Sequence, residues 1–164
     1  LDIALSRSPG NLVVIDKVTH RLDVTRTKGA VTINADADDW QQRALDECNG
    51  RGFDKVIEVV GYPETLQMCF NIVRPGGTIA AIGVFCDQEF KLALADLFLR
   101  NLTLHMNGFA NVQPVMWEGL RMMQRGVVSP EEYFSHDFTL DKIDRAFATF
   151  DSKSDNAMKM LIRP

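Results

Sequence analysis

Leu12-Val13-Val14-Ile15-Asp16 is an apolar run closed by a carboxylate. Four consecutive apolar residues ending in one acid read as a short strand buried on both faces. The residues before it, 1–11, read as the end of a helix and a turn. After it, Thr19 can cap a helix carrying Leu22 and Val24 that ends near Lys28-Gly29. Ala30 to Asn34 is the next strand. Asp38 or Asp39 caps a helix with Trp40, Ala44, Leu45 and Cys48 on one face, stopped by Asn49-Gly50-Arg51-Gly52. A third strand is expected over 55–60. Pro63 then suits the first turn of a helix whose Leu66, Cys69, Phe70 and Val73 recur at three and four, and Arg74-Pro75-Gly76-Gly77 ends it. A fourth strand is expected over 78–84. Strands and helices in strict alternation, with nearly unbroken apolar strands, predict an α/β fold: a parallel, doubly wound sheet with helices on both faces.

Beyond residue 85 the pattern changes. A short helix or irregular crossover is expected over 90–100, a fifth strand over 102–106 and a helix over 114–125. Ser129-Pro130-Glu131-Glu132 reads as a helix start and 134–138 as extended. Residues 141–150 are amphipathic, with Ile143, Ala146, Phe147 and Phe150 on one face, and 157–163 alternate like an edge or outer strand.

Composition excludes several classes. With 164 residues, 46% hydrophobic and 24% charged, the chain has the material for a globular core. A formal net charge of −4 without any Lys/Arg cluster argues against nucleic acid as a partner. The longest apolar run, 79–86, falls far short of the ~20 residues a membrane-spanning helix needs. Cys48, Cys69 and Cys86 are odd in number and lack C-x-x-C spacing, which suits reduced, buried thiols in a cytoplasmic protein.

Asp16 carries the first functional reading. In Rossmann-type dinucleotide-binding folds a carboxylate at a strand end accepts hydrogen bonds from the adenosine ribose, about 20 residues beyond a glycine-rich phosphate turn. No G-x-G-x-x-G occurs in the chain, so that turn and its strand are expected before residue 1 and the sheet is expected to be incomplete. In a 3-2-1-4-5-6 order, the strands ending at Asp16 and at Val60 would then each keep one unpaired edge. The Asp16 carboxylate would repel a 2′-phosphate, which favours NAD over NADP.

Several segments in order carry a family resemblance: Val13-Val14-Ile15-Asp16-Lys17, then Gly50-Arg-Gly-Phe-Asp-Lys-Val-Ile-Glu-Val-Val-Gly61, then Arg74-Pro-Gly-Gly-Thr-Ile-Ala-Ala-Ile-Gly-Val-Phe85, then Phe134-Ser-His-Asp-Phe138 and Met158-Lys-Met-Leu-Ile-Arg-Pro164. Together they resemble the C-terminal part of the medium-chain, zinc-type alcohol dehydrogenase superfamily. The resemblance implies that residues 1–107 form a partial NAD-binding domain and that 108–164 return to the catalytic domain. It also implies an alcohol or polyol substrate, hydride transfer to nicotinamide, a homo-oligomer at full length, and zinc ligands confined to an N-terminal domain outside residues 1–164. No catalytic residue is expected here, and the chain alone is expected to be inactive.

On this resemblance Arg21 matches a basic residue beside the ribose, and Lys17 is the nearer cation, placed to reach the adenine edge. Both also read as surface charges. Val60 would pack on adenine, while Gly61, lacking a Cβ, would let the cofactor approach the backbone. Ile82, Gly83 and Val84 would present backbone groups to the nicotinamide amide, with Asn107, Gly108 and Phe109 completing that pocket. Lys159 would sit near the pyrophosphate, although alternation reads it as an outward-facing, solvated lysine. His20, His105 and His136 lack ligand spacing, so no metal site is assigned. Met116, Met122 and Met123 read as core fillers. The rival readings are a Rossmann-type methyltransferase and a non-catalytic fragment.

Overall fold

A computed structural model describes residues 1–86, 89–106 and 112–164. In chain order its elements are α1 (Asp2–Leu5), β1 (Val13–Asp16), α2 (Thr19–Thr27), β2 (Val31–Asn34), α3 (Trp40–Asp46), β3 (Phe53–Glu58), α4 (Pro63–Ile72), β4 (Val73–Ala81), α5 (Leu94–Leu99), β5 (Thr103–Met106), α6 (Val112–Gln124), β6 (Phe134–Thr139), α7 (Ile143–Ser152) and β7 (Lys159–Arg163). Every ladder is parallel: β1 with β2, β3 with β4, β4 with β5, and β6 with β7. Parallel neighbours require a crossover, and helices supply it in each case. The expected α/β class with parallel strands is therefore present. No described helix is long and apolar enough to cross a membrane.

The chain divides into two compact units, Leu1–Asn34 with Val112–Pro164, and Ala35–Asn111. In the second unit, β-branched Val56 and Ile79 and small Ala80 and Ala81 build the β3-β4-β5 sheet. Leu66, Cys69 and Phe70 of α4 pack on Val73, Ile79 and Ala81 to form its core, with Val56, Leu97 and Leu104 around them. Pro63 occupies the first turn of α4, where its missing N–H costs nothing. At the other end Arg100 donates to the carbonyls of Phe70 and Val73, satisfying acceptors that the helix leaves open. Pro75-Gly76-Gly77 does not stop the chain between elements. It is bulged out within β4, so that Phe53 pairs with Val73 while Lys55 pairs with Thr78.

Strand ends differ from the sequence reading at the same place. β3 stops at Glu58 and β4 at Ala81, because the Glu58 carbonyl accepts both Ile82 N (2.9 Å) and Gly83 N (3.2 Å). Those two donors close the ladder. Among the described residues, β3 pairs with β4 and β1 pairs with β2.

In the first unit, α2 buries Leu22 and Thr25 against β1 and β2, and it ends at Lys28 before Gly29 at φ +88°. β6 and β7 flank α7, which buries Ala146. The other apolar residues expected on that face do not follow: Ile143, Phe147 and Phe150 are exposed. Met116 and Met123 are exposed as well, so they are not the core fillers that their spacing suggested.

A polar cluster joins the two segments of this unit. Lys28 Nζ donates to Asp2 Oδ1 (2.9 Å), Glu132 Oε2 (2.6 Å) and Tyr133 Oη (3.2 Å), and Tyr133 Oη donates to Asp2 Oδ2 (2.6 Å). Burial pushes the Asp2 carboxyl up, but the Tyr133 and Lys28 hydrogen bonds outweigh it and hold the group below its ordinary value. A depressed carboxyl contributes stability that is present above its unfolded pKa and lost as pH falls through the folded one. The Lys28 and Asp2 side chains are only 21% and 10% exposed, so Lys28→Met strands a buried carboxylate and is expected to cost about 1–3 kcal/mol near neutrality. Urea midpoints of wild type and variant should converge as pH is lowered below 3.8, the ordinary Asp2 value.

Candidate functional site

In the second unit, two segments leave the carboxyl ends of neighbouring strands: Val59 to Tyr62 after β3 and Ile82 to Val84 after β4. Carboxyl ends of parallel strands are where open α/β sheets bind ligands. Val60, Ile82 and Val84 are 57%, 50% and 75% exposed, although residues of these types are normally inside. They form an apolar ledge at the sheet end.

Gly61 and Gly83 bring the two segments together. Gly61 is buried at φ +95°, and a Cβ there would lie 2.3 Å from the Val84 carbonyl oxygen. A Cβ on Gly83 would lie 2.3 Å from Gly61 N and 2.5 Å from Glu58 Oε2. The close approach expected at Gly61 therefore exists, but the chain's own backbone makes it. Protein packing requires this glycine, whatever the ledge binds.

Glu58 is the residue that sequence reading passed over. It is 2% exposed, and Oε1 accepts Val60 N (2.8 Å), Gly61 N (2.8 Å) and Thr65 Oγ1 (2.7 Å). Oε2 is buried with no hydrogen-bond partner among the described residues. The available signal was a single acid inside Val56-Ile57-Glu58-Val59-Val60, where burying a carboxylate is costly unless it is hydrogen-bonded.

In the first unit, Asp16 closes β1 as predicted. Its Oδ1 accepts Val18 N at 2.9 Å, an Asx turn that fixes the carboxylate at the strand end. Lys17 follows it and is exposed, and Arg21 lies half-buried in the first turn of α2. Lys159 opens β7, exposed, opposite Phe134. Asn107, Gly108 and Phe109 lie outside the described residues.

A profile of the family described as zinc-binding dehydrogenase matches residues 6–125. The chain belongs to that family. A probable zinc-binding alcohol dehydrogenase of Mycobacterium tuberculosis is 30% identical over 161 residues, covering 98% of this chain and 41% of the relative. Zinc-type alcohol dehydrogenase B of Aspergillus flavus is 35% identical over 124 residues, 74% of this chain and 28% of that protein. Among solved structures, the alcohol dehydrogenase from Thermus sp. ATN1 superposes with a TM-score of 0.91 at 32% identity, covering 99% of this chain and 48% of that one. The chain thus spans less than half the length of each of these relatives.

Among the described residues of this family member, no group of three or more His, Cys, Asp or Glu side chains is placed to hold a metal ion. The zinc in the family's description finds no donor set there. Of the cysteines, Cys69 is buried, Cys48 is half-buried and Cys86 is exposed, so the expectation of buried thiols fails at Cys86. Burial, with the Glu58 charge, pushes the Cys69 thiol up to about 12. A thiol held protonated there is a packing residue. A groove of about 230 Å³ in the second unit, between α4, Phe85 and Leu104, touches no predicted contact residue.

Proposed function

We propose that the chain is the coenzyme-binding portion of an NAD-dependent dehydrogenase that transfers hydride between an alcohol or polyol and nicotinamide. Family membership supports the reaction class, and the strand-end carboxylate Asp16 is the single observation that supports the cofactor. In this reading residues 1–107 hold the cofactor and 108–164 return to a catalytic domain; a cytoplasmic, homo-oligomeric enzyme belongs to the same proposal.

NAD, when bound, supplies the hydride acceptor. The residues of this chain bind and orient it. Asp16, already fixed by Val18 N, accepts the ribose hydroxyls, since each carboxylate oxygen takes more than one hydrogen bond. Arg21 and Lys17 supply positive charge beside the ribose, and Lys159 does so for the pyrophosphate. Val60 covers adenine. Ile82, Gly83 and Val84 offer apolar surface and backbone groups to the nicotinamide half, together with Asn107, Gly108 and Phe109.

Thermal unfolding with NAD, NADP and S-adenosylmethionine in separate samples tests the reading. A ligand at 100 times its Kd stabilises the folded state by about 2.7 kcal/mol, so NAD is expected to raise Tm and the other two to leave it unchanged. A response to S-adenosylmethionine would favour a methyltransferase, and no response to any ligand a non-catalytic fragment.

A further inference from the structure

We propose that Glu58 is a positioning residue for the cofactor ledge, setting NAD affinity without touching the cofactor; this rests on the reading above. One residue meets both ledge segments through two different groups. Its carboxylate Oε1 gathers Val60 N, Gly61 N and Thr65 Oγ1. Its main-chain carbonyl takes Ile82 N and Gly83 N. Its second carboxylate oxygen lies 2.5 Å from where a Gly83 Cβ would be, so only glycine leaves room for the acid.

A core needing only packing would place an aliphatic residue here, as it does at Ile79. A buried carboxylate is retained only with hydrogen bonds to offset its desolvation. Here two of those bonds come from backbone amides of the turn that carries Val60 and the third from the Thr65 hydroxyl in the first turn of α4. The acid therefore determines the course of the turn after β3. The same residue's carbonyl determines where the segment after β4 leaves the sheet. Because Gly61 and Gly83 are in direct contact, freeing one segment frees the other.

The test compares wild type with Glu58→Gln, Glu58→Leu and Thr65→Val, reading NADH affinity, Tm and amide exchange at Val60, Gly61 and Gly83. Asp16→Ala serves as the direct-contact control. Glu58→Gln keeps an acceptor at the Oε1 position and is expected to bind NADH within about threefold of wild type. Glu58→Leu removes it and is expected to weaken NADH at least tenfold, equivalent to about 1.4 kcal/mol, with exchange at Val60 and Gly61 accelerated by a similar factor. Thr65→Val, which removes the hydroxyl that donates to Glu58 and also bonds the Tyr62 backbone, is expected to show the same effects at smaller size should Glu58→Leu fail to fold. Asp16→Ala should weaken NADH with unchanged exchange at Gly61. Faster exchange in Glu58→Leu or Thr65→Val with wild-type NADH affinity would overturn the positioning role while sparing the cofactor reading. Loss of NADH binding in Glu58→Gln equal to that in Glu58→Leu would also overturn it. A wild type that binds no NADH would overturn the cofactor reading itself, and this role with it.

Discussion

Gly61→Val is expected to unfold the protein or to leave it barely stable. At φ +95° a β-branched residue is strained, and its Cβ would lie 2.3, 2.7 and 2.8 Å from the oxygen, carbon and nitrogen of Val84. All three are backbone atoms and cannot rotate away. Strain of about 1–3 kcal/mol and overpacking of about 1–3 kcal/mol add to a sizeable part of the ~5–15 kcal/mol that holds a domain together. Gly119, inside α6, meets nothing within 4 Å, and Gly119→Ala is expected to add about 0.5–1 kcal/mol through backbone entropy. Urea denaturation of the two variants beside wild type checks both signs. A Gly61→Val midpoint within the error of wild type would mean that the two segments do not pack as described.

Asp16→Ser combined with Lys17→Arg is expected to shift coenzyme preference toward NADP by about 10- to 1000-fold. A carboxylate about 4 Å from a 2′-phosphate is repelled by about 1–4 kcal/mol per unit charge between water-like and surface dielectric values. Serine removes that repulsion, and arginine offers a fork that matches phosphate better than lysine does. The Val18 N hydrogen bond can pass to the serine hydroxyl, so the strand end should survive. Fluorescence titration with NADH and NADPH measures the ratio. An unchanged ratio would mean that Asp16 faces away from the ribose.

The order of elements was legible because its punctuation is chemical. Pro63 opens α4, Gly29 follows α2, and the β-branched run at Val13-Val14-Ile15 stands apart from the helices around it. Strand ends were less legible, since Val59-Val60 and Ile82 continue an apolar pattern after the ladder has ended. Which residues face water along α6 and α7 was not legible at all: the periodicity of Met116, Met123, Phe147 and Phe150 announces an apolar face but not what meets it. The packing that Gly61 makes was not legible, because the neighbour excluding a side chain, Val84, is distant in sequence. Glu58 went unread for a related reason. Its partners Val60, Gly61 and Thr65 are close in sequence, but only the fold shows the carboxylate turned inward to meet them.

The proposed reading assigns NAD contacts to Asp16 in the first unit and to Val60, Ile82 and Val84 in the second. Backbone amide resonances followed through an NAD titration of the purified protein test it most directly. Saturable shifts are expected at Asp16, Lys17, Val60, Gly61 and Ile82 to Val84, with the amides of β6 and α7 unmoved. Shifts confined to β6 or α7, or none at millimolar NAD, would contradict it.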